Sequence, residues 1–417
     1  MVKGVGMKNS GQSLEDRPLL FREADSRVVY PLGVEEIQQV LKLAGSRCQR
    51  VLWQTRDPAA EKSSGADQII NTGRMKKILE VNKISRYAVV EPGVTHRELT
   101  DHLEQRGIGL RHGLSAPDPD GPLLDTVLGT GEGSSFGALY GPAVDMVQGL
   151  EVVLPDGMVC KIGSCSVSSL WFARGPLPDL QGLFLNRRQP LGLITKLSLR
   201  LFAPGLKEQV IYILREPGLL PEVVEKITHP EMADRIQIIG KERPAYMKGV
   251  VVISLQLSGN TAKELFLKKE IFRNLFDHKK IIYKENLTRD MQEAIAETKG
   301  GKGIDGTVPL EKMPELWQRA VGIIRQNRSR YCLAFTVMDH GRLVSGTLAY
   351  TLPEEKRANF SGEERMQREL EAAVRESGSL NNRGMNEGSA DLFRRIRRVI
   401  DPQAMLLPAE STDIKSF

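Results

Sequence analysis

Residues 147–162 read VQGLEVVLPDGMVCKI, and this stretch decides the fold. Apolar residues dominate 147–154 and return at 158–162, as in two short strands. Between them, the Pro-Asp-Gly of 155–157 supplies the residue types that a tight turn requires. The sequence therefore predicts a β-hairpin.

A long strand lies downstream of the hairpin. Two sets of side chains alternate from Leu193 to Leu201, which places one set on each face of a sheet. The strand ends at Ala203-Pro204-Gly205, because proline cannot donate to a sheet ladder. We predict a domain boundary at residue 205.

Strands and helices alternate upstream of the hairpin. Val28–Pro31 has the pattern of a strand, and from Val34 apolar residues follow at helical spacing. Thr95 and Glu98 have the spacing of a capping box, so a helix is predicted to begin there and to end before Gly107. Further strands are predicted at 50–53 and 87–90.

Residues 206–390 show strands with intervening helices, which is typical of an α+β layer with an antiparallel sheet. The predicted strands are 235–239, 250–257, 281–283, 331–338 and 343–352, and the predicted helices follow Asn260 and lie at 288–297, 310–326 and 363–376. The glycine-rich run Lys299–Gly306 lacks the pattern of a phosphate loop, and we predict a mobile surface loop there.

Composition and charge exclude several classes of function. The chain has 417 residues, and its 58 Lys+Arg against 52 Asp+Glu give a net charge of +6, a small surplus spread along the sequence. Such a surplus argues against nucleic-acid binding. The densest basic cluster, Arg394–Arg398, lies in an amphipathic helical pattern and is predicted to be a solvated helix face.

Metal and membrane signals are also missing from the sequence. The four cysteines form no CxxC pair and the six histidines offer no ligand spacing, so neither an iron–sulfur cluster nor a zinc site is predicted. No secretory leader and no apolar run of transmembrane length is recognised. We expect a cytoplasmic protein, with peripheral membrane association left open.

Two segments before the hairpin each have a functional and a structural interpretation. The glycine-rich run Gly129–Gly137 would let backbone amides approach a phosphate, but it lacks the dinucleotide fingerprint, and a flexible loop is the simpler interpretation. Asp118 and Asp120 lie among prolines that would hold a carboxylate rigidly in a site, while a turn requires the same residues.

The order of the elements carries a family resemblance. After the strand at 28–31, the chain has RMKKILEV at 74–81, VEPGVT at 90–95, GLEVVLPDG at 149–157, LGLITK at 191–196 and IDPQAMLLP at 400–408. Together these segments resemble the FAD-binding domain of the vanillyl-alcohol oxidase and para-cresol methylhydroxylase (PCMH) flavoprotein family, over residues 28–205 and 391–408.

The resemblance implies an α+β fold with a PCMH-type FAD-binding domain of two subdomains, at 28–205, and a cap domain whose antiparallel sheet covers the flavin ring, at 206–390. Residues 1–27 would be an N-terminal extension, and 391–417 would return to the FAD-binding domain.

The resemblance also implies a chemistry and a set of site residues. Family members transfer a hydride to flavin N5 from a phenolic, alcohol or 2-hydroxy-acid carbon, and then pass the electrons to oxygen or to a separate acceptor. Asp118 matches the acid/base carboxylate of the family's Pro-Asp segment. The residues implied to line the FAD are Pro117, Asp118, Pro119, Gly121, Gly133, Tyr140, Gly192, Leu193 and Ile194.

The chain departs from the family pattern where members carry a glycine-rich pyrophosphate loop. That interval, residues 54–67, reads QTRDPAAEKSSGAD, with one glycine and three acids. Acids repel phosphate and the missing glycines remove close backbone approach, so this is a degenerate loop. It also holds no histidine, so covalent flavin attachment there is not implied. The family's Tyr-Arg pair for a phenolate is absent, since Asn382-Arg383 occupies the nearest comparable place.

Three hypotheses follow. In the first, the chain is an FAD-dependent dehydrogenase that binds non-covalent FAD in a variant way, acts on a small organic substrate and passes electrons to a separate acceptor protein. In the second, it is a flavin-poor or flavin-free paralogue that serves as a non-catalytic partner subunit of a flavoprotein or electron-transfer complex. The third is a basic binding module without a redox role. A homo- or hetero-oligomer is expected in the first two cases.

Overall fold

The structure is a computed structural model that describes residues 27–56, 65–115, 118–129, 136–175, 178–185, 190–214, 216–241, 250–276, 280–285, 302–352, 360–380 and 387–408. We refer to 27–205 together with 387–408 as the N-terminal region, and to 206–380 as the C-terminal region.

The strands of the described residues are β1 Val28–Val29, β2 Val51–Gln54, β3 Gln68–Asn71, β4 Ile78–Asn82, β5 Tyr87–Val90, β6 Arg111–His112, β7 Val147–Val153, β8 Val159–Gly163, β9 Leu193–Phe202, β10 Leu206–Leu214, β11 Ala233–Lys241, β12 Val250–Gly259, β13 Ile281–Lys284, β14 Lys302–Pro309, β15 Arg330–Met338, β16 Leu343–Thr351 and β17 Leu406–Leu407.

The α-helices of the described residues are α1 Val34–Ser46, α2 His96–Gln105, α3 Leu123–Leu128, α4 Gly137–Tyr140, α5 Gln181–Phe184, α6 Leu220–Thr228, α7 Ala262–Arg273, α8 Met313–Gln326, α9 Phe360–Glu376 and α10 Glu387–Ile400.

The N-terminal region contains two sheets. The first is parallel, in the order β1-β3-β2-β17, and the second is antiparallel, in the order β4-β5-β9-β7-β8, with β6 paired to β9. The predicted hairpin is confirmed, because β7 and β8 pair in antiparallel register from Gly149 opposite Gly163 to Val153 opposite Val159. The capping box at Thr95 and Glu98 is also confirmed at the start of α2.

The end of the described chain packs against this region. Strand β17 pairs in parallel with β2, and apolar residues of α10 such as Phe393 and Ile396 pack on the core formed by α2, α3 and the antiparallel sheet. Asp401 holds the turn between α10 and β17, because its carboxylate accepts the backbone N–H of Met405 at 2.8 Å and of Leu406 at 2.9 Å.

The C-terminal region is built on one seven-stranded sheet, in the order β13-β10-β12-β11-β15-β16-β14, whose pairings are all antiparallel. Apolar side chains of α6, α7, α8 and α9 form its core with one set of alternating strand residues, among them Tyr212, Ile238 and Phe335. The predicted α+β architecture with an antiparallel sheet is therefore confirmed, whereas the division into domains at residue 205 stays a prediction.

One prediction in this region is wrong, and another lies outside the described residues. The run Lys299–Gly306 is not a loop over its described part, because Lys302–Pro309 forms β14 and pairs with β16. The sheet has no room for a side chain at residue 303, because a Cβ there would lie 2.6 Å from Cγ2 of Thr347. Glycine therefore fits this strand position. The helix predicted at 288–297 lies outside the described residues.

Candidate functional site

A cleft of about 390 Å³ opens in the N-terminal region. It forms where the chain leaves β2, turns after β3 and enters α2, so short loops from several strands meet at one place. Its lining residues are Tyr30, Thr55, Arg56, Asn71, Gly73, Arg74, Lys76, Gly93, Thr95, Asp120 and Pro122.

Two glycines let the backbone strands of the cleft wall approach one another. A Cβ on Gly73 would lie 2.5 Å from the carbonyl oxygen of Thr55, and a Cβ on Gly93 would lie 2.8 Å from the carbonyl oxygen of Met75. Neither position accepts a side chain without movement of the backbone. The amides of both glycines are used within the protein, since Gly73 donates to Oδ1 of Asn71 at 2.8 Å and Gly93 donates to the carbonyl of Met75 at 2.8 Å.

Arg56 stands at one side of the cleft and is neutralised by two carboxylates. Its Nε lies 2.9 Å from Asp125 and its Nη1 lies 3.2 Å from Asp118, and Thr55 donates its hydroxyl to the same Asp125. The guanidinium also lies against Gly121, where a Cβ would clash with it. Arg56 therefore fills the space beside the Pro-Asp segment.

Two further cations line the opposite side. The Arg74 guanidinium lies 4.3 Å from the centre of the Tyr30 ring, and within the described part of the chain it has no ion pair. Lys76 is paired with Glu98 at 3.1 Å, but both side chains are about half exposed, with 49% and 40% of their surface accessible. The cleft therefore offers positive charge to an anionic ligand, and Arg74 is its uncompensated member.

A buried histidine, His96, follows the cleft residue Thr95 and lies beside the partly buried His112. The rings of His96 and His112 lie 5.3 Å apart, and the Nε2 of His96 is 2.7 Å from the hydroxyl of Thr126. Burial lowers the pKa of His96 to about 4, and the neighbouring His112 acts in the same direction. Burial likewise lowers the pKa of His112. Both imidazoles are therefore neutral at pH 7 and act as hydrogen-bonding groups.

The Pro-Asp segment lies at the cleft rim. Asp118 accepts the backbone N–H of Asp120 at 3.0 Å, the carbonyl of Pro119 accepts the N–H of Arg97 at 2.9 Å, and the carbonyl of Gly121 accepts the N–H of His96 at 3.2 Å. Asp118, Pro119 and Gly121 therefore lie next to Asp120 and Pro122, which line the cleft. Pro117 and Gly133 lie outside the described residues.

The other predicted FAD residues lie elsewhere. Tyr140 ends α4 and contacts the rings of Phe136 and Phe202. Leu193 and Ile194 are fully buried in β9 with their side chains in the core. Gly192 precedes them, and a Cβ there would lie 2.5 Å from a methyl of Val152, so its lack of a side chain serves strand packing. The assignment of these four residues to an FAD site stays a prediction.

None of the eleven residues that line the cleft is among the residues predicted to line the FAD, and Gly73, Arg74 and Gly93 are examples. Arg74 and Gly93 stand in the RMKK and VEPG segments that carried the family resemblance, and this was the signal that pointed to them. They were missed because their convergence depends on how β3, β4 and β5 are placed, and not on spacing along the chain.

Comparisons with known proteins agree with this architecture. Residues 26–163 match the family described as FAD binding domain. The whole fold matches the solved structure of p-cresol methylhydroxylase with a TM-score of 0.70 and 17% identity, covering 92% of this chain and 90% of that one. Residues 26–163 are an FAD-binding domain by this match, and the fold is that of p-cresol methylhydroxylase. The resemblance is confirmed to this extent.

Two curated relatives of the chain are dehydrogenases. The 4-cresol dehydrogenase [hydroxylating] flavoprotein subunit of Pseudomonas putida is 26% identical over 51% of this chain and 42% of its own length. The D-lactate dehydrogenase of Archaeoglobus fulgidus is 30% identical over 46% of this chain and 42% of its own length. The chain therefore matches less than half the length of each relative. None of the helices in the described ranges has the length and apolarity needed to cross a membrane.

The cleft residues fit the diphosphate of FAD. The guanidinium of Arg74 and the half-exposed ammonium of Lys76 supply positive charge to the cleft. The glycine-poor interval 54–67 contributes Thr55 and Arg56 to the cleft, and its residues 57–64 lie outside the described part.

Proposed function

We propose that the chain is an FAD-dependent dehydrogenase that holds FAD non-covalently, with the diphosphate in the cleft beside Arg74. The observation that carries the proposal is this uncompensated guanidinium on a wall of closely packed backbone, within a PCMH-type FAD-binding domain. FAD, when bound, supplies the hydride acceptor for oxidation of a phenolic, alcohol or 2-hydroxy-acid carbon.

The chain's own residues contribute binding and proton transfer in this proposal. Arg74 and Lys76 bind the phosphates, and Asp118 is the acid/base residue that exchanges a proton with the substrate. Asp118 is half exposed and ion-paired to Arg56 at 3.2 Å, so movement of Arg56 toward the phosphates would release its carboxylate. Replacement of Asp118 by Asn is then expected to abolish turnover while flavin stays bound, and unchanged turnover would remove Asp118 from the mechanism.

Flavin binding is the direct test. The purified protein is loaded with FAD, and the ratio of FAD to protein is measured from the flavin released by acid. The Arg74→Gln variant is expected to bind FAD about 10- to 100-fold more weakly, since a hydrogen bond to a charged group contributes about 1.5–3 kcal/mol. The exposed Arg106→Gln variant is the matched control. Equal affinity of the Arg74 variant and the wild type would remove Arg74 from the site.

A second candidate function is the flavin-free partner subunit of a flavoprotein or electron-transfer complex. The observation that favours it is Arg56, which occupies the space beside Gly121 and is held there by Asp118 and Asp125. This candidate predicts that the protein co-purifies with another chain and takes up no FAD when soaked. A yellow, active homo-oligomer would exclude it.

The proposed dehydrogenase also needs an electron acceptor. The sequence has no cluster motif, so a separate acceptor protein is part of the proposal, as is assembly into a homo- or hetero-oligomer. A cytoplasmic location, with peripheral membrane association left open, completes it. Fractionation of cells and the elution volume of the purified protein test these two points.

A further inference from the structure

One loop of the N-terminal region contains no charged residue. Residues 162–173 read IGSCSVSSLWFA, between Lys161 and Arg174, although 26% of the chain is charged. The loop follows β8, which lies at one edge of the antiparallel sheet. Charged side chains are normally interspersed over the surface of a protein, so a segment without them at a sheet edge needs an explanation. We refer to residues 163–173 as the serine loop.

The serine loop exposes three large apolar side chains. Val167 is 72% exposed, Leu170 44% and Phe172 47%. Single exposed apolar residues are common on protein surfaces, whereas several on one short segment form a patch that marks a contact site.

The loop is held in shape by its own hydrogen bonds and by one buried side chain. Its ends meet where the N–H of Ser164 donates to the carbonyl of Ala173 at 2.8 Å and the N–H of Ala173 donates to the Ser164 hydroxyl at 3.2 Å. Trp171 is buried in a small core with Cys165, and its carbonyl accepts the hydroxyl of Ser198 at 2.6 Å. The exposed apolar side chains therefore project from a fixed backbone.

The serine hydroxyls of the loop are also satisfied within it. Ser164 donates to the carbonyl of Leu170 at 2.9 Å, and Ser166 donates to the carbonyl of Gly163 at 2.7 Å. Ser168 donates to the carbonyl of Ser164 at 3.1 Å and accepts the N–H of Leu170 at 3.1 Å. These groups keep their hydrogen bonds when water is removed from the loop.

This combination favours a lipid surface over a protein partner. The apolar part of a bilayer offers no hydrogen bonds, so a loop that enters it must satisfy its own polar groups and carry no charge. A specific protein interface instead surrounds its apolar centre with polar and charged groups. The serine loop has the first set of properties. Lys161, which is exposed before the loop, is placed to stay among the headgroups.

We propose that the serine loop is a docking site for a lipid bilayer, in which Val167, Leu170 and Phe172 insert at the boundary between headgroups and acyl chains. Three side chains on one loop give reversible, peripheral binding. The site supplies the surface for the peripheral membrane association that the proposed function leaves open, and it does not depend on bound FAD.

Sedimentation with vesicles tests the proposal on the full chain. Vesicles of phosphatidylcholine and phosphatidylglycerol in equal amounts are mixed with the purified protein, and the bound fraction is measured at low and at high salt. We expect the wild type to bind, and Leu170→Ser/Phe172→Ser to bind about tenfold more weakly, because two inserted apolar side chains are lost. The part of the binding that depends on the loop should persist at high salt, since salt screens charges and not apolar insertion.

A matched control removes the same two side-chain types from another surface. Phe266 and Leu267 on α7 are 58% and 53% exposed, but Lys263 and Glu270 lie one turn away on the same helix. Phe266→Ser/Leu267→Ser should therefore bind vesicles as the wild type does. The flavin content of every sample is measured separately, so that loss of FAD and loss of vesicle binding are distinguished.

The other possible results would overturn the proposal. One is a wild-type protein that does not sediment with vesicles, and another is equal binding by the wild type and Leu170→Ser/Phe172→Ser. A change in elution volume of that variant, without vesicle binding by the wild type, would assign the loop to a protein contact instead. If the double variant melts below the wild type, Val167→Ser takes its place and must weaken binding about threefold, and equal binding again overturns the docking site.

Discussion

The N-terminal and C-terminal regions bury charge in different ways. Among the described residues, the N-terminal region buries Glu91, His96, Glu151 and Asp401 almost completely, whereas the C-terminal region buries one such carboxylate, Asp234. The buried groups of the N-terminal region have dedicated partners: Glu91 accepts the N–H of Lys77 at 2.8 Å, and Glu151 lies 3.0 Å from the ammonium of Lys196.

This difference indicates what stabilises each region. Buried polar groups hold loops in place only while their protonation and partners are correct, so the N-terminal region should respond to pH and to loss of single polar groups. The C-terminal region rests on one large apolar core and should respond mainly to loss of packing.

The largest effect is expected in the apolar core of the C-terminal region. Trp317 on α8 is 2% exposed and packs against the Phe335 ring at a centroid distance of 6.0 Å. Trp317→Ala should lower the free energy of unfolding by about 3–5 kcal/mol, because it removes a large side chain and leaves a cavity. Urea unfolding measures this. Leu267→Ala on α7, at a position 53% exposed, is the control and should change stability by less than about 0.5 kcal/mol. A loss below about 1 kcal/mol in the tryptophan variant would contradict the single-core description.

The next effect belongs to the N-terminal region and depends on pH. The pKa of His96 is lowered to about 4 from the ordinary 6.5, so the folded state favours the neutral ring. The stabilisation is complete above pH 6.5 and is lost as the pH falls from 6.5 toward 4, by up to about 3 kcal/mol. Melting curves between pH 7.5 and 4.5 measure this loss.

Two variants separate the buried histidine from general acid effects. His96→Gln should have a flatter pH dependence than the wild type, since glutamine does not titrate. His229→Gln, at an exposed position after α6, is the control for the substitution itself. Parallel profiles for the wild type and His96→Gln would show that His96 does not set the acid sensitivity.

A smaller effect is expected at the cleft. Arg56→Gln removes the ion pair with Asp125, whose side chain is only 11% exposed, and should cost about 1 kcal/mol. The double variant Arg56→Gln/Asp125→Asn should recover part of this loss of stability. In that variant a neutral amide replaces the carboxylate that has lost its cation. Chemical unfolding of the wild type, the two single variants and the double variant gives the coupling free energy between the two side chains. A coupling near zero would mean that the ion pair does not hold Arg56 in the cleft.

Elements that depend on local sequence pattern could be predicted from the sequence. Elements that depend on contacts between distant segments could not. Alternation along 193–201 and the turn at 155–157 predicted β9 and the β7–β8 hairpin, because strand periodicity and turn residues act locally. Strand β14 was missed because Gly303 and Gly306 have no strand preference of their own. Their position is imposed by pairing with β16 and by the close approach of Val374 on α9.

The candidate site divides in the same way. Asp118 and Gly121 could be selected from a family segment, and they do lie at the cleft. Arg74 was not among the predicted site residues, because its contact with Tyr30 and its place at the cleft depend on how β1 and β3 pair. Likewise, the sequence of 54–67 suggested weak phosphate binding, and two of the cations that line the cleft, Arg74 and Lys76, come from another segment.

The smallest effect is expected for a surface ion pair of the C-terminal region. Arg365 and Glu369 lie one turn apart on α9 at 2.9 Å, and the arginine side chain is 81% exposed. The cation precedes the anion, which is the less favourable order for a helix, so Arg365→Gln should cost no more than about 0.3 kcal/mol. Thermal melting at low and high salt measures it. A loss comparable to that of Arg56→Gln would break the comparison, because an exposed pair on a helix would then matter as much as a half-buried one in the cleft.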